Sequence, residues 1–485
     1  MFSDVCTARR QFLQHSACGL GAIGLSELLA SDGIRRAAGS ESTAPAAPRN
    51  PLAPQSPHFA ARAKNVIFIF MSGGPSHLDL FDPKPELNRF HGQPVPQSFL
   101  DSLADPVIKG GARCFGSPRK FRSFGESGME FSDFLPHLGA CADQLCMIRS
   151  MYTTTSNHDP GQLLMQCGTL LFGHPSMGAW VTYGLGSESQ DLPGFVVLTS
   201  NSGEGIDGGS ALWSNGFLPS NYRGVTFRGV GDPILHLSNP AGISSRLQRQ
   251  RLDAVRSLNQ VRLTQTGDAE IAARIEAYEL AFRMQTAAPD LVDFSDETDA
   301  TRRMYGLEHD VTRPFGVNCL LARRMVERGV RFVQMYHSTW DDHNDLNSHL
   351  AKNTAMTDLP AAALIRDLAQ RGLLDETLVI WGGEFGRTPM HEIRRGTTPG
   401  KEGRDHHPFG FTMLLAGGGV RPGFILGRTD ELGYHAVEDR VHVHDLQATI
   451  LHCLGLDHTA LTFLHLGREF RLTDVAGQVV HRALA

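Results

Sequence analysis

Histidines and carboxylates recur in four short, widely separated segments of the chain. The first is Ser72-Gly73-Gly74-Pro75-Ser76-His77-Leu78-Asp79, and the second is His337-Ser338-Thr339-Trp340-Asp341-Asp342-His343, followed by Asp345 and His349. The third is Gly382-Gly383-Glu384-Phe385-Gly386-Arg387, and the fourth Gly403-Arg404-Asp405-His406-His407-Pro408. Mixed imidazole and carboxylate ligands suit zinc, manganese or iron, whereas an all-oxygen set suits calcium or magnesium. Three or four such ligands with a position left open is the pattern of a catalytic ion. Two ions a few Å apart would clamp the oxygens of a phosphate or sulfate ester. Taken singly, each segment has a plainer reading. Asp341, Asp342 and His343 fit a solvated turn, Ser76 and His77 fit a cap, and Glu384 fits a partner for Arg387 or Arg404. His158, within Thr153–Asp159, fits a capped turn before a helix over Gly161–Cys167. His406-His407 is more specific, because adjacent imidazoles are rarely needed for packing, although only one need point inward.

These segments need a scaffold that gathers them. Asn65–Met71 (NVIFIFM) is a near-continuous apolar run, as are Gly194–Leu198, Gly329–Tyr336, Thr377–Trp381 and Phe409–Ala416. Short runs apolar on both faces suit buried parallel strands. Helical spacing fills Phe315–Arg328, Thr357–Arg371 and Val443–Leu454, each followed by a glycine. The alternation predicts an α/β fold, a doubly wound, mostly parallel sheet flanked by helices. Ser245–Thr286, broken near Thr266-Gly267, predicts a helical hairpin on its flank. Ser72–Leu192 predicts loops and a helix covering one end of the sheet. Ligands of open parallel sheets bind beyond the carboxyl ends of the strands. Three of the polar segments leave such ends. The fourth precedes its strand and must approach from a neighbouring position.

Composition narrows the function. The 485 residues carry 45 Lys plus Arg against 51 Asp plus Glu, which excludes a basic nucleic-acid surface. Ala8-Arg9-Arg10-Gln11-Phe12-Leu13, followed by an apolar stretch over Ala17–Ala30, predicts a twin-arginine export signal over residues 1–38. Residues 39–63, rich in Ser, Ala and Pro, predict a linker, with one domain over 64–485 and no membrane span after signal removal. The chain is therefore expected in the periplasm or outside the cell. Its 8 cysteines include no CxxC pair, which argues against a structural zinc site of that type.

The segments MSGGPSHLDLFDPKP at Met71–Pro85, NHDPGQLLMQCG at Asn157–Gly168, WDDH at Trp340–His343, LLDETLVIWGGEFGRTP at Leu373–Pro389 and GRDHHPFGFTMLLAGGGV at Gly403–Val420 resemble the alkaline phosphatase and sulfatase superfamily. With the closing helix at Asp445–Leu456, they resemble its exported sulfatase-like branch, a domain-of-unknown-function family with a twin-arginine start. The resemblance implies an alkaline phosphatase-like fold and a divalent metal, zinc or manganese rather than calcium or magnesium. Carried over by position, Asp341, His343 and His406 form one ligand group, with His77, Asp79 and Glu384 a second group or its surroundings. The nucleophile's place falls near His158, so Thr155, Ser156 or His158 would attack, or an activated water. Arg387 or Arg404 would stabilise the anionic oxygens. Three departures stand out. Ser72-Gly73 replaces the paired acids after the first strand, Gly383-Glu384 replaces Asp-His, and no Cys-x-Pro-x-Arg occurs, which removes formylglycine chemistry. The function implied is a metal-dependent hydrolase of an anionic ester, a sulfated polysaccharide among its candidate substrates. The alternative is a non-catalytic exported binding protein of the same fold, taking a sulfated polysaccharide or an envelope partner. An intramolecular phosphotransferase is a third possibility.

Overall fold

The computed structural model describes residues 50–100, 112–200, 206–228, 233–234, 237–392 and 400–485. The expected export signal and the first part of the expected linker, residues 1–49, lie outside them. Asn50–Ala485 form one compact unit. The described part of the linker is docked on that unit. Backbone N–H groups of Gln55, His58 and Arg62 donate to the carbonyls of Leu185, Gly455 and Cys453, and Ala63 is buried.

The sheet contains β1 (Asn65–Met71), β2 (Leu145–Tyr152), β3 (Phe195–Thr199), β4 (Val225–Phe227), β5 (Phe332–His337), β6 (Thr377–Gly382), β7 (Phe411–Ala416), β8 (Phe424–Leu426) and β9 (Val441–His442). Its order is β8-β2-β7-β6-β1-β5-β3-β4, with β9 also on β2. The apolar run of β1 is buried along its whole length. Ile67, Ile69 and Met71 face one core and Val66, Phe68 and Phe70 the other, as a strand covered on both sides requires. Helices cover both faces: α1 (His158–Cys167), α2 (Met177–Leu185), α3 (Ser245–Thr266), α4 (Ala269–Val292), α5 (Arg313–Glu327), α6 (Leu346–Gln370) and α7 (Val443–Cys453). Leu320, Leu321, Ala361 and Leu364 of α5 and α6 join the core of Ile67, whereas Leu163, Leu446 and Ile450 of α1 and α7 join that of Val66.

β1 pairs in parallel with β5 and β6, and β3 with β4 and β5. β7 is antiparallel to both its neighbours, β6 and β2. This reversal explains the fourth polar segment. The start of β7 lies at the edge where β1, β5 and β6 end, so His406 arrives there directly. The expectation of loops and a single helix over Ser72–Leu192 misses β2, which sits inside the sheet. Helix α6 starts well before Thr357 and carries Pro360 within it. The hairpin extends past Thr286 to Val292. Among the described residues no helix is long and apolar enough to cross a membrane.

Candidate metal centre

Four side chains meet beyond the carboxyl ends of β5 and β6. One ligand-type atom from each of His158, Asp341, His343 and His406 lies within 4.8 Å of all the others. Asp341 Oδ1 is the hub. It stands 2.8 Å from His343 Nε2, 2.9 Å from His406 Nε2 and 3.3 Å from His158 Nε2. Different devices deliver each group. His158 opens α1. Asp341 and His343 leave β5 through a tight loop in which Thr339 has φ 80°, a strained value for a β-branched residue. Asn353 of α6 holds that loop: its Nδ2 donates to the Thr339 carbonyl at 2.7 Å, and its Oδ1 accepts from the Thr339 hydroxyl at 3.0 Å. The loop also presses on the turn after β1. A Cβ on Gly73 would sit 2.5 Å from the Asp341 backbone nitrogen, so only glycine fits.

His406 lies on a two-residue ribbon, His406–His407 paired with Gly386–Arg387. Successive strand residues point to opposite faces. His406 therefore enters the cluster while His407 turns away and bonds the Tyr434 carbonyl. Burial pulls the His407 imidazole down to about 3.

Carboxylates fix two of the imidazoles from behind. Glu384 is wholly buried and accepts from His158 Nδ1 at 2.8 Å. It also takes the Gly73 N–H at 3.0 Å and Gln162 Nε2 at 3.3 Å. Glu392, also buried, accepts from His343 Nδ1, and Asp405 lies 4.0 Å from the same nitrogen. A carboxylate can only accept, so each Nδ1 carries a proton and each Nε2 faces the cluster. Burial draws His158 down, but its bonds to Asp341 and Glu384 outweigh that and raise it to about 9. His343 is raised, the bonds to Asp341 and Glu392 overcoming burial, whereas burial leaves His406 lowered. Burial works to raise Asp341, but the three imidazoles and Arg387 hold it far below the usual carboxylate range.

The second expected group does not assemble. Asp79 is buried against Arg404, whose Nε donates at 2.7 Å and Nη2 at 3.3 Å, and the guanidinium stacks on Phe115. His77 is buried too, its Nε2 on the Gly433 carbonyl at 3.0 Å. Neither His77 nor Asp79, both on the small helix His77–Leu80, is among the four side chains that converge in the cluster. Of that group only Glu384 reaches it, through His158. Neither arginine offers an open fork. Arg404 is spent on Asp79 and the Thr388 carbonyl. Arg387 donates to the carbonyls of Gly74, Arg404 and Trp340 and, at 2.6 Å, to Asp341. Thr155 and Ser156 lie in the turn ahead of α1, where Thr155 Oγ1 accepts the Asn157 N–H at 3.3 Å. Glu392 and Gln162 carried no sequence signal. Glu392 stands outside every polar segment, and Gln162 reads as an ordinary helical residue.

The model of the family described as "Protein of unknown function (DUF1501)" matches residues 63–484. The chain belongs to the DUF1501 family. No curated protein matches it. Among solved structures it is similar to the lipoteichoic acid synthase LtaP from Listeria monocytogenes, at 9% identity over 87% of this chain and 78% of that one, with a TM-score of 0.37. It is also similar to the PsFucS1 sulfatase from Pseudoalteromonas sp., at 12% identity over 81% and 68%, TM-score 0.32. The phosphonate monoester hydrolase SpPMH from Silicibacter pomeroyi is a third, at 12% identity over 81% and 73%, TM-score 0.32.

Proposed function

We propose that this chain is an exported hydrolase of phosphate or sulfate esters that holds one divalent metal ion on Asp341, His343 and His406, with His158 beside it. One observation supports this above all. Three imidazole Nε2 atoms and a carboxylate oxygen converge, and the Nδ1 atoms of two of those imidazoles rest on buried carboxylates. A structural ion pair needs one partner for Asp341, not three. This donor set suits zinc or manganese. A bound ion would supply positive charge for the ester's anionic oxygens, a task the two buried arginines are not placed to perform. The chain's own groups do the rest. Glu384 and Glu392 set the tautomers of His158 and His343, and Arg387 holds Asp341 in place. Phe385, 5.1 Å from the His158 ring and 4.7 Å from that of His406, screens their flank from water. His158 stands furthest from Asp341 and serves as general acid or nucleophile, with the Thr155 and Ser156 hydroxyls as alternatives.

The test is turnover of aryl phosphate and aryl sulfate esters with and without chelator. Turnover that chelator abolishes, and that His343→Ala and His406→Ala lose, supports the proposal. Turnover indifferent to all three contradicts it. The closed state of Arg387 and Arg404 favours a second reading, a metal-holding binding protein for a sulfated polysaccharide; bound ion without turnover would put it ahead. The Arg9-Arg10 start supports export, and a reporter fusion still exported after Arg9→Lys plus Arg10→Lys would count against that part.

A further inference from the structure

Helix α3 is packed with its polar side inward. Toward α4 it presents Gln248, Arg249, Leu252, Asn259 and Leu263. Arg249 donates to Glu279 at 2.7 and 2.8 Å, and among these residues only Leu263 is buried, against Ile271 and Ile275. Toward solvent it presents Leu247, Ala254, Leu258 and Val261, which the 3.6-residue period sets on one face, with Val255 at its margin. Leu258 is 74% exposed and Val261 60%. Arg251 and Arg262 flank this face on one side and Arg246 on the other. Among the described residues none of the three has an acidic partner. The helix's one acid, Asp253, is held by Arg249.

An aliphatic strip bordered by unpaired arginines calls for a surface that is apolar and anionic at once. A second copy of the chain meets only half of this. The one acid of the helix, Asp253, is already held by Arg249, so a facing copy of the strip brings further arginines and no free carboxylate. A protein hot spot would use aromatic anchors and a pocket, and the strip has neither. A lipid surface needs neither. It takes aliphatic side chains at the acyl boundary while arginines reach back to the phosphates along their own methylenes.

We propose that the outer face of α3 is a docking strip for an anionic lipid surface, seating the helix flat with Leu247, Leu258 and Val261 at the acyl boundary and Arg246, Arg251 and Arg262 on the headgroups. This binding is separate from the metal centre. The test is co-sedimentation of the full chain with phosphatidylglycerol-containing vesicles, against pure phosphatidylcholine vesicles, at low and high salt. The wild type sediments with the anionic vesicles and is released by salt. Leu258→Gln plus Val261→Gln, and separately Arg251→Gln plus Arg262→Gln, each lower the partition on the order of tenfold. Both pairs are exposed, so the fold is kept, which circular dichroism checks. A wild type that stays in the supernatant overturns the proposal, as does partition unchanged in both variants. A wild-type dimer in light scattering that Leu258→Gln plus Val261→Gln makes monomeric also overturns it, assigning the strip to a second copy.

Discussion

His406 and His407 are neighbours in the chain with opposite fates, and the reason is the two-residue ribbon that carries them. The sequence shows two adjacent imidazoles; only the pleat decides which one enters the cluster. Asp79 and Arg404 teach the complementary lesson. A carboxylate and a guanidinium 325 positions apart read as two site residues, yet each is the other's partner, fully buried. No spacing rule reveals such a pair, because its cause is a long-range contact. Breaking a buried pair of this kind costs about 3–5 kcal/mol, so loss of activity in an Asp79 or Arg404 variant would report folding rather than chemistry. Glu392 is the informative residue at this scale. Its carboxylate on His343 Nδ1 fixes the ring and raises its basicity, and such outer partners are worth about 10–100-fold in metal affinity. Glu392→Gln is therefore expected to weaken zinc binding in a competition titration by about that factor while leaving the unfolding midpoint of the chelated chain nearly unchanged. An unaltered affinity would remove Glu392 from the centre.

Among the elements, the strands buried on both faces were legible, because an apolar run such as NVIFIFM has no other stable home. β2 was not. Leu145–Tyr152 mixes Cys, Arg and Ser into its run, and its place inside the sheet comes from pairing with β7, β8 and β9. The direction of β7 was equally invisible, since an antiparallel strand buried on both faces reads like a parallel one. That direction puts His406 at the site edge. The loop after β5 is the most strained part of the site, with Thr339 at φ 80° held by Asn353. A residue in this region costs about 1–3 kcal/mol and persists only while its surroundings enforce it. Asn353→Ala frees the loop that carries Asp341 and His343. The expected outcome is weaker metal binding, by about tenfold or more, with little change in helix content by circular dichroism. Full-strength binding in Asn353→Ala would show that the loop holds itself.

At the scale of the whole molecule, several histidines are stored neutral in the core. His337 is the clearest. It sits beside Phe315 and Trp340 with Nδ1 2.8 Å from the Ser200 hydroxyl, and burial lowers it to about 4. A group lowered in the fold stays neutral there while the unfolded chain takes up a proton. Its contribution to stability is therefore complete above about pH 6.5 and drains away as the pH falls toward 4, at about 1.4 kcal/mol per pH unit. His337→Gln removes that part of the slope. Denaturant unfolding in chelator between pH 7 and pH 5 should show a shallower decline for the variant than for the wild type, and equal slopes would contradict this account of His337. The fold class was readable from the alternation of apolar runs and helical spacing. The centre was readable only as separate pieces, because its assembly depends on the reversed β7, a strained loop and two carboxylates placed by tertiary contact.

The most direct measurement is the metal content of the purified chain by plasma mass spectrometry, with its chelated form reloaded by zinc or manganese and His158→Ala, His343→Ala and His406→Ala carried alongside. Close to one ion per chain is expected in the wild type, almost none in His343→Ala and His406→Ala, and retained but weakened binding in His158→Ala. A wild type that takes up no ion, and whose thermal unfolding ignores both chelator and added metal, would contradict the proposed metal centre.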